Sequence, residues 1–207
     1  MEKRTDKNSY TIIFAIGMVL VVGSLLAYAS SSLKERIDTN KKLEKQQNIL
    51  YAMGVNENDE SNAVFVSTDA APALFAEKIT KQIVIQGNKK PVVDSLAYLI
   101  DVKKEQTSAK AGNERRLPLF IGENEGKTYY IAPIRGKGLW DAIWGYVALD
   151  ENMVIQGAFF DHKGETAGLG ANINKRFFMD DFIGEDLMNN GKFVGVNVAK
   201  GNADPLN

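Results

Sequence analysis

Asp161-His-Lys-Gly-Glu-Thr-Ala-Gly-Leu-Gly170 places three glycines, a glutamate and a threonine within ten residues. The apolar run before it, Val154 to Phe160, reads as a strand. The segment after it, Ala171 to Ile183, carries apolar residues at Ile173, Phe177, Phe178 and Phe182, which is a helical spacing. The glycines therefore fall where a strand ends and a helix is expected to begin. Backbone can approach a ligand closely at such a junction, with free N–H groups pointing outward. Spacing alone leaves two readings open: a tight turn needing positive φ, or a binding loop.

Working outward, short strands are expected over 79–85, 117–121, 127–134, 142–149, 154–160 and 193–198, and helices over 94–104 and 172–187. The links between 117 and 149 are short, which implies antiparallel pairing. Strands and helices that do not alternate regularly point to an α+β fold with a mixed, mostly antiparallel sheet. Its domain is expected over 62–207, after the polar, acidic loop Asn56 to Asn62.

The N-terminal part is different in kind. Asn8 to Leu33 contains no charged residue, and Tyr10 to Tyr28 is almost wholly apolar. As a helix this run spans about 28 Å, enough to cross the hydrocarbon core. Ala27-Tyr-Ala29 resembles a signal-cleavage site, but the apolar run exceeds the usual signal core, so a retained anchor is the better reading. The expected order is a flank over 1–9, a transmembrane helix over 10–29 and a juxtamembrane helix over 30–54, stopped at Gly54. Basic residues flank both ends (Lys3, Arg4 and Lys7; Lys34, Arg36, Lys41, Lys42 and Lys45), so charge does not orient the span.

Composition excludes several functions. The formal net charge is −1, and no basic tract interleaved with aromatics suggests nucleic acid. There is no cysteine, which removes disulfides and thiolate chemistry. His162 is the sole histidine, so no histidine-based metal site can form, and it reads as a loop residue rather than a catalytic one. There is no phosphate-loop pattern, and neither Gly136-Lys-Gly138 nor Gly168-Leu-Gly170 completes a dinucleotide fingerprint, because Asp141 and Ile173 hold the third-glycine positions. No residue stands out as an activated nucleophile or acid–base dyad.

A second segment matters as much as the first: Pro133-Ile-Arg-Gly-Lys-Gly-Leu-Trp140, followed by Trp144. Trp144 lies in an apolar strand and reads as core. Trp140, at the mouth of the Gly136–Gly138 turn, offers an indole face, with Arg135 and Lys137 as nearby charge. Together the two glycine loops can frame a cofactor-sized site in which Thr166 supplies a hydroxyl, Glu165 an acceptor, and Gly168 to Gly170 backbone donors. That set orients a ring with imide-like edges and does not suit hydrolysis.

The anchor, the polar helix Asn40 to Leu50, the Gly-Leu-Trp turn at 138–140 and the Glu-Thr-x-Gly-Leu-Gly loop at 165–170 resemble the C subunits of the sodium-translocating NADH:quinone reductases. FMN-binding subunits of the Rnf electron-transport complex share the second loop. The resemblance implies a single-pass protein of the bacterial inner membrane with its domain on the periplasmic side, no catalysis in isolation, and partners in the other subunits and the membrane. It implies a flavoprotein relaying electrons between NADH and ubiquinone in a sodium-exporting complex. The FMN site would comprise Gly138, Leu139, Trp140, Glu165, Thr166, Gly168, Leu169 and Gly170, with Trp140 and Leu169 against the ring. Relatives attach FMN through its phosphate to a threonine of a Ser/Thr-Gly-Ala-Thr motif. These 207 residues lack that motif, so the acceptor is expected beyond Asn207 and the sequence reads as truncated. The alternatives are an Rnf-type subunit and a cofactor-free anchored assembly module.

Overall fold

The computed structural model describes residues 8–59 and 62–196. Two compact units divide between Lys42 and Leu43. Helix α1 (Asn8–Ala52) supplies the first and ends in the second. Its apolar part has a mean hydropathy of 2.5, with none of that window buried, and is long enough to cross a membrane.

In the second unit, β1 (Ile79–Gln86), β2 (Val92–Val93), β3 (Arg116–Asn124), β4 (Lys127–Lys137), β5 (Ala142–Leu149) and β6 (Ile155–His162) form one sheet in the order β2-β1-β3-β4-β5-β6. Every neighbouring pair is antiparallel. The expected strands at 79–85, 117–121, 127–134, 142–149 and 154–160 are all present, with ends shifted by up to three residues. In β3 the burial alternates: Pro118, Phe120 and Gly122 are buried while Leu117, Leu119 and Ile121 are only partly covered. The buried side packs against the end of α1, where Ile49, Leu50, Ala52 and Met53 are all but sealed, together with Phe120, Ile131, Ala148 and Phe159. A Cβ at Gly157 would lie 2.3 Å from the Ala52 carbonyl oxygen, so only glycine lets β6 approach the helix end this closely. The composition shift at 56–62 therefore lies outside the helical residues that complete the core.

The helices depart from expectation. Helix α2 (Ala71–Lys78), with Pro72 in its first turn, has too little periodicity to be picked out beforehand. In place of a helix over 94–104, a 3-10 turn at Ala97–Leu99 precedes α3 (Val102–Lys110). The carboxylate of Asp101 caps α3 by accepting from the N–H groups of Lys103 and Lys104, which fixes the start later than the apolar spacing suggests. The helix expected over 172–187 is a 3-10 segment (Gly170–Asn174) and one turn of α4 (Arg176–Asp180), because Lys175 is extended and Gly184 takes φ +93°. Its aromatic spacing reflects a cluster instead: Phe178 and Phe182 pack edge-on against Phe160 of β6. Of the expected strand 193–198, only Phe193 is a strand residue: a hairpin of two-residue strands, β7 (Met188–Asn189) with β8 (Lys192–Phe193), ends before Gly195, and residues beyond 196 lie outside the described part.

Candidate functional site at the β5 and β6 ends

Antiparallel pairing decides where the two glycine loops meet. Ile143 at the start of β5 pairs with His162 at the end of β6. The loop entering β5 and the loop leaving β6 must then lie side by side.

Glu165 joins them. Its Oε1 accepts from the backbone N–H of Trp140 at 3.0 Å and of Asp141 at 3.2 Å. The carboxylate fills the space that side chains at two glycines would need: a Cβ at Gly138 would sit 2.4 Å from Oε1, and one at Gly170 2.8 Å from Oε2. Of the carboxylate expected to serve as a ligand's acceptor, Oε1 is engaged by the protein's own backbone. The loop is held at its base as well, since the Glu165 N–H donates to Nδ1 of His162.

Thr166 comes next. Its hydroxyl oxygen accepts from the indole N–H of Trp140 at 3.0 Å, and its carbonyl accepts from the N–H groups of Leu169 and Ala171. Of the three expected backbone donors over 168–170, the Leu169 amide is thus used internally. Gly168, at φ +75°, turns the chain, and its N–H has no partner among the described residues. Leu139, Trp140 and Leu169 are 82%, 68% and 73% exposed. Trp140 through its indole N–H and Leu169 through its backbone N–H are both tied to Thr166, which leaves three exposed apolar side chains on neighbouring loops and a hydroxyl proton free to donate. The structure thus groups Gly138, Leu139, Trp140, Glu165, Thr166, Gly168, Leu169 and Gly170, but in two roles: Glu165 and the flanking glycines build the support, while Leu139, Trp140, Thr166, Gly168 and Leu169 face outward.

Sequence reasoning missed the clasp beside the site. Lys163 Nζ lies 2.8 Å from Asp141 Oδ2 and holds that carboxyl below the ordinary aspartate range. The Gly138 N–H donates to the Asp141 carbonyl at 2.7 Å and closes the turn. Lys163 and Asp141 are far apart in the chain, so only the pairing of β5 with β6 could have revealed their contact. Trp144, expected in the core, is half-buried, with the Arg135 guanidinium 5.9 Å from its ring. A separate concavity of about 390 Å³ is lined by Asn48, Phe65, Phe159, Asp161, Asn174 and Arg176 among others, and includes none of Gly138, Leu139, Trp140 or 165–170.

Comparison with known proteins converges on the same segment. The FMN-binding domain family matches residues 138–205, starting at Gly138. The C subunit of the Na(+)-translocating NADH-quinone reductase of Pseudomonas aeruginosa is 29% identical over 97% of this chain and 80% of its own length. Its counterpart from Haemophilus ducreyi is 28% identical over 95% and 79%. Among solved structures, the corresponding protein of Parabacteroides distasonis is 32% identical with a TM-score of 0.69, covering 81% of this chain and 77% of that one. Shewanella oneidensis NqrC, at 23% identity and a TM-score of 0.62, shares the fold.

Proposed function

The chain belongs to the C-subunit family of the Na(+)-translocating NADH-quinone reductases, and from that premise we propose that it is the membrane-anchored subunit relaying electrons through FMN within such a complex. The observation that carries this reading is the exposed apolar surface of Leu139, Trp140 and Leu169 around the Thr166 hydroxyl, inside the segment matched by the FMN-binding domain family. FMN, when bound, supplies reversible electron uptake and release. The chain's own residues bind and orient it. Trp140 and Leu169 would hold its ring, and the Thr166 hydroxyl and the Gly168 N–H would supply hydrogen-bond donors to it. Exposure of the ring on its far side would let electrons pass to and from neighbours. The long apolar part of α1 anchors the chain in the inner membrane, with the domain on the periplasmic side.

Burying a leucine side chain is worth about 1.5–3 kcal/mol, and each 1.4 kcal/mol is about tenfold in affinity. Leu169→Ala is therefore expected to raise the FMN dissociation constant at least about tenfold, measured by quenching of flavin fluorescence on titration into the full chain. Leu169→Glu is expected to shift the bound flavin's potential as well. Unchanged affinity and potential in both variants would remove the ring from this surface. Covalent attachment to a threonine is a separate question. A flavin-fluorescent band on a denaturing gel of the protein from its native membrane would support it, and a dark band would leave FMN held without a covalent link.

A further inference from the structure

Beside Trp140 lies a shallow groove of about 310 Å³ between α3 and the end of β4. Lys103 and Lys110 come from α3, and Arg135 and Lys137 from β4. None of these four cations forms an ion pair with a carboxylate among the described residues. The groove's lining includes one carboxylate, Asp141, which is taken by Lys163. The concentration of positive charge is local, since the whole chain carries a formal charge of −1.

We propose that this groove docks a carboxylate-rich segment of a protein that exchanges electrons with the chain, bringing that partner against the exposed edge of Trp140. The inference rests on the flavin-relay reading and adds the chemistry of the partner to it. Three observations favour an acidic protein segment over a membrane surface. The site is concave, so it fits a protruding chain better than a flat bilayer. Its cations come from two separate elements, a helix and a strand, which together flank the hollow. Three of the four are lysines, which as strongly hydrated, mobile point charges suit a contact that must form and break quickly. Electrostatic complementarity of this kind raises association rates and fixes orientation more than it adds affinity, and weak redox encounters use small interfaces.

The test uses the full chain without flavin in neutral phosphatidylcholine nanodiscs, with fluorescein-labelled hexaglutamate as the probe and anisotropy as the readout. Binding is expected to weaken steeply between about 0.01 M and about 0.15 M ionic strength, where the screening length falls from about 30 to about 8 Å. The double variant Lys103→Glu, Lys110→Glu is expected to lose affinity about tenfold or more, as like charges replace attractive ones. Lys81→Glu with Lys127→Glu makes the same charge change at exposed strand positions outside the groove and is expected to bind nearly as the native chain does. Equal losses in both double variants, or none in either, would overturn the proposal. So would loss of the peptide when phosphatidylglycerol replaces the disc lipid, because the groove would then be serving the membrane. FMN titration of the same proteins keeps the two readings apart. A chain that binds hexaglutamate through the groove but takes up no FMN refutes the flavin relay and leaves the docking surface standing. FMN uptake with no groove-dependent peptide binding does the reverse.

Discussion

A carboxylate that accepts two backbone N–H groups forms charge-assisted bonds, which are roughly twice as strong as neutral ones. Glu165 does this for Trp140 and Asp141, so the pose of the 138–141 turn depends on a side chain from the other loop. Glu165→Ala should release the 138–141 turn at a cost of about 1.5–3 kcal/mol, typical of a lost bond to a charged group. The expected signs are a red shift in tryptophan emission and at least about tenfold weaker FMN binding. Glu165→Gln keeps an oxygen acceptor and should restore most of both. Gly138→Ala should resemble Glu165→Ala, since its Cβ would lie 2.4 Å from Oε1 and 3.0 Å from Ile143 Cγ2, and the carboxylate would have to leave its donors. If Glu165→Ala left emission and affinity unchanged, the brace would be incidental. The residue was readable from its place within the second glycine loop; its backbone partners were not. Only the pairing of β5 with β6 brings the Trp140 and Asp141 amides to this carboxylate.

At the scale of elements, α3 is fastened to the sheet by one ion pair. Glu105, on its buried side, accepts from the Arg116 guanidinium and from the Arg116 N–H at 3.0 Å. The hydrogen bonds from Arg116 are the chief reason its carboxyl is held below the ordinary glutamate range. The folded value is depressed, so the contribution to stability is complete above the unfolded carboxylate's pKa of about 4.3 and disappears as pH falls through the lowered folded value. Because Arg116 is half exposed, the pair is worth about 1–2 kcal/mol rather than the full value of a buried one. Urea unfolding in detergent should show Glu105→Ala less stable than the native chain by that amount at pH 7, with the gap closing in acid. A gap unchanged at low pH would mean that the loss is one of packing rather than charge. Strands were easier to read than helices for a related reason. Strands show as short runs rich in apolar residues, whereas the starts and stops of α3 and α4 depend on Asp101, Lys175 and Gly184, whose backbone roles periodicity does not register.

For the whole molecule, the decisive residues lie at the end of α1. Composition marks a change at the polar loop 56–62, yet Ile49, Leu50, Ala52 and Met53 are at most 1% exposed and Tyr51 is 5% exposed. Lys45 adds a polar fastening, donating to the carbonyls of Tyr98 and Ile100. The sequence hid this because the same helical run carries both an apolar span and a charged stretch, and Leu43 and Leu50 alone do not distinguish a solvated helix from one with a buried last turn. Two shortened chains separate these possibilities. A chain beginning at Leu43 keeps every core residue and sheds the apolar span, so it should be monomeric, cooperative in unfolding and absent from the carbonate-washed membrane fraction. A chain beginning at Val55 gives up the burial of Ile49, Leu50, Tyr51 and Met53, each worth about 1.5–3 kcal/mol. Set against total stabilities of about 5–15 kcal/mol, that loss should leave no cooperative unfolding transition and amide hydrogens that exchange freely. Folding of the Val55 chain would show that the sheet is sufficient by itself. Failure of both chains would mean that the domain needs the apolar helix, or what that helix binds, to fold at all.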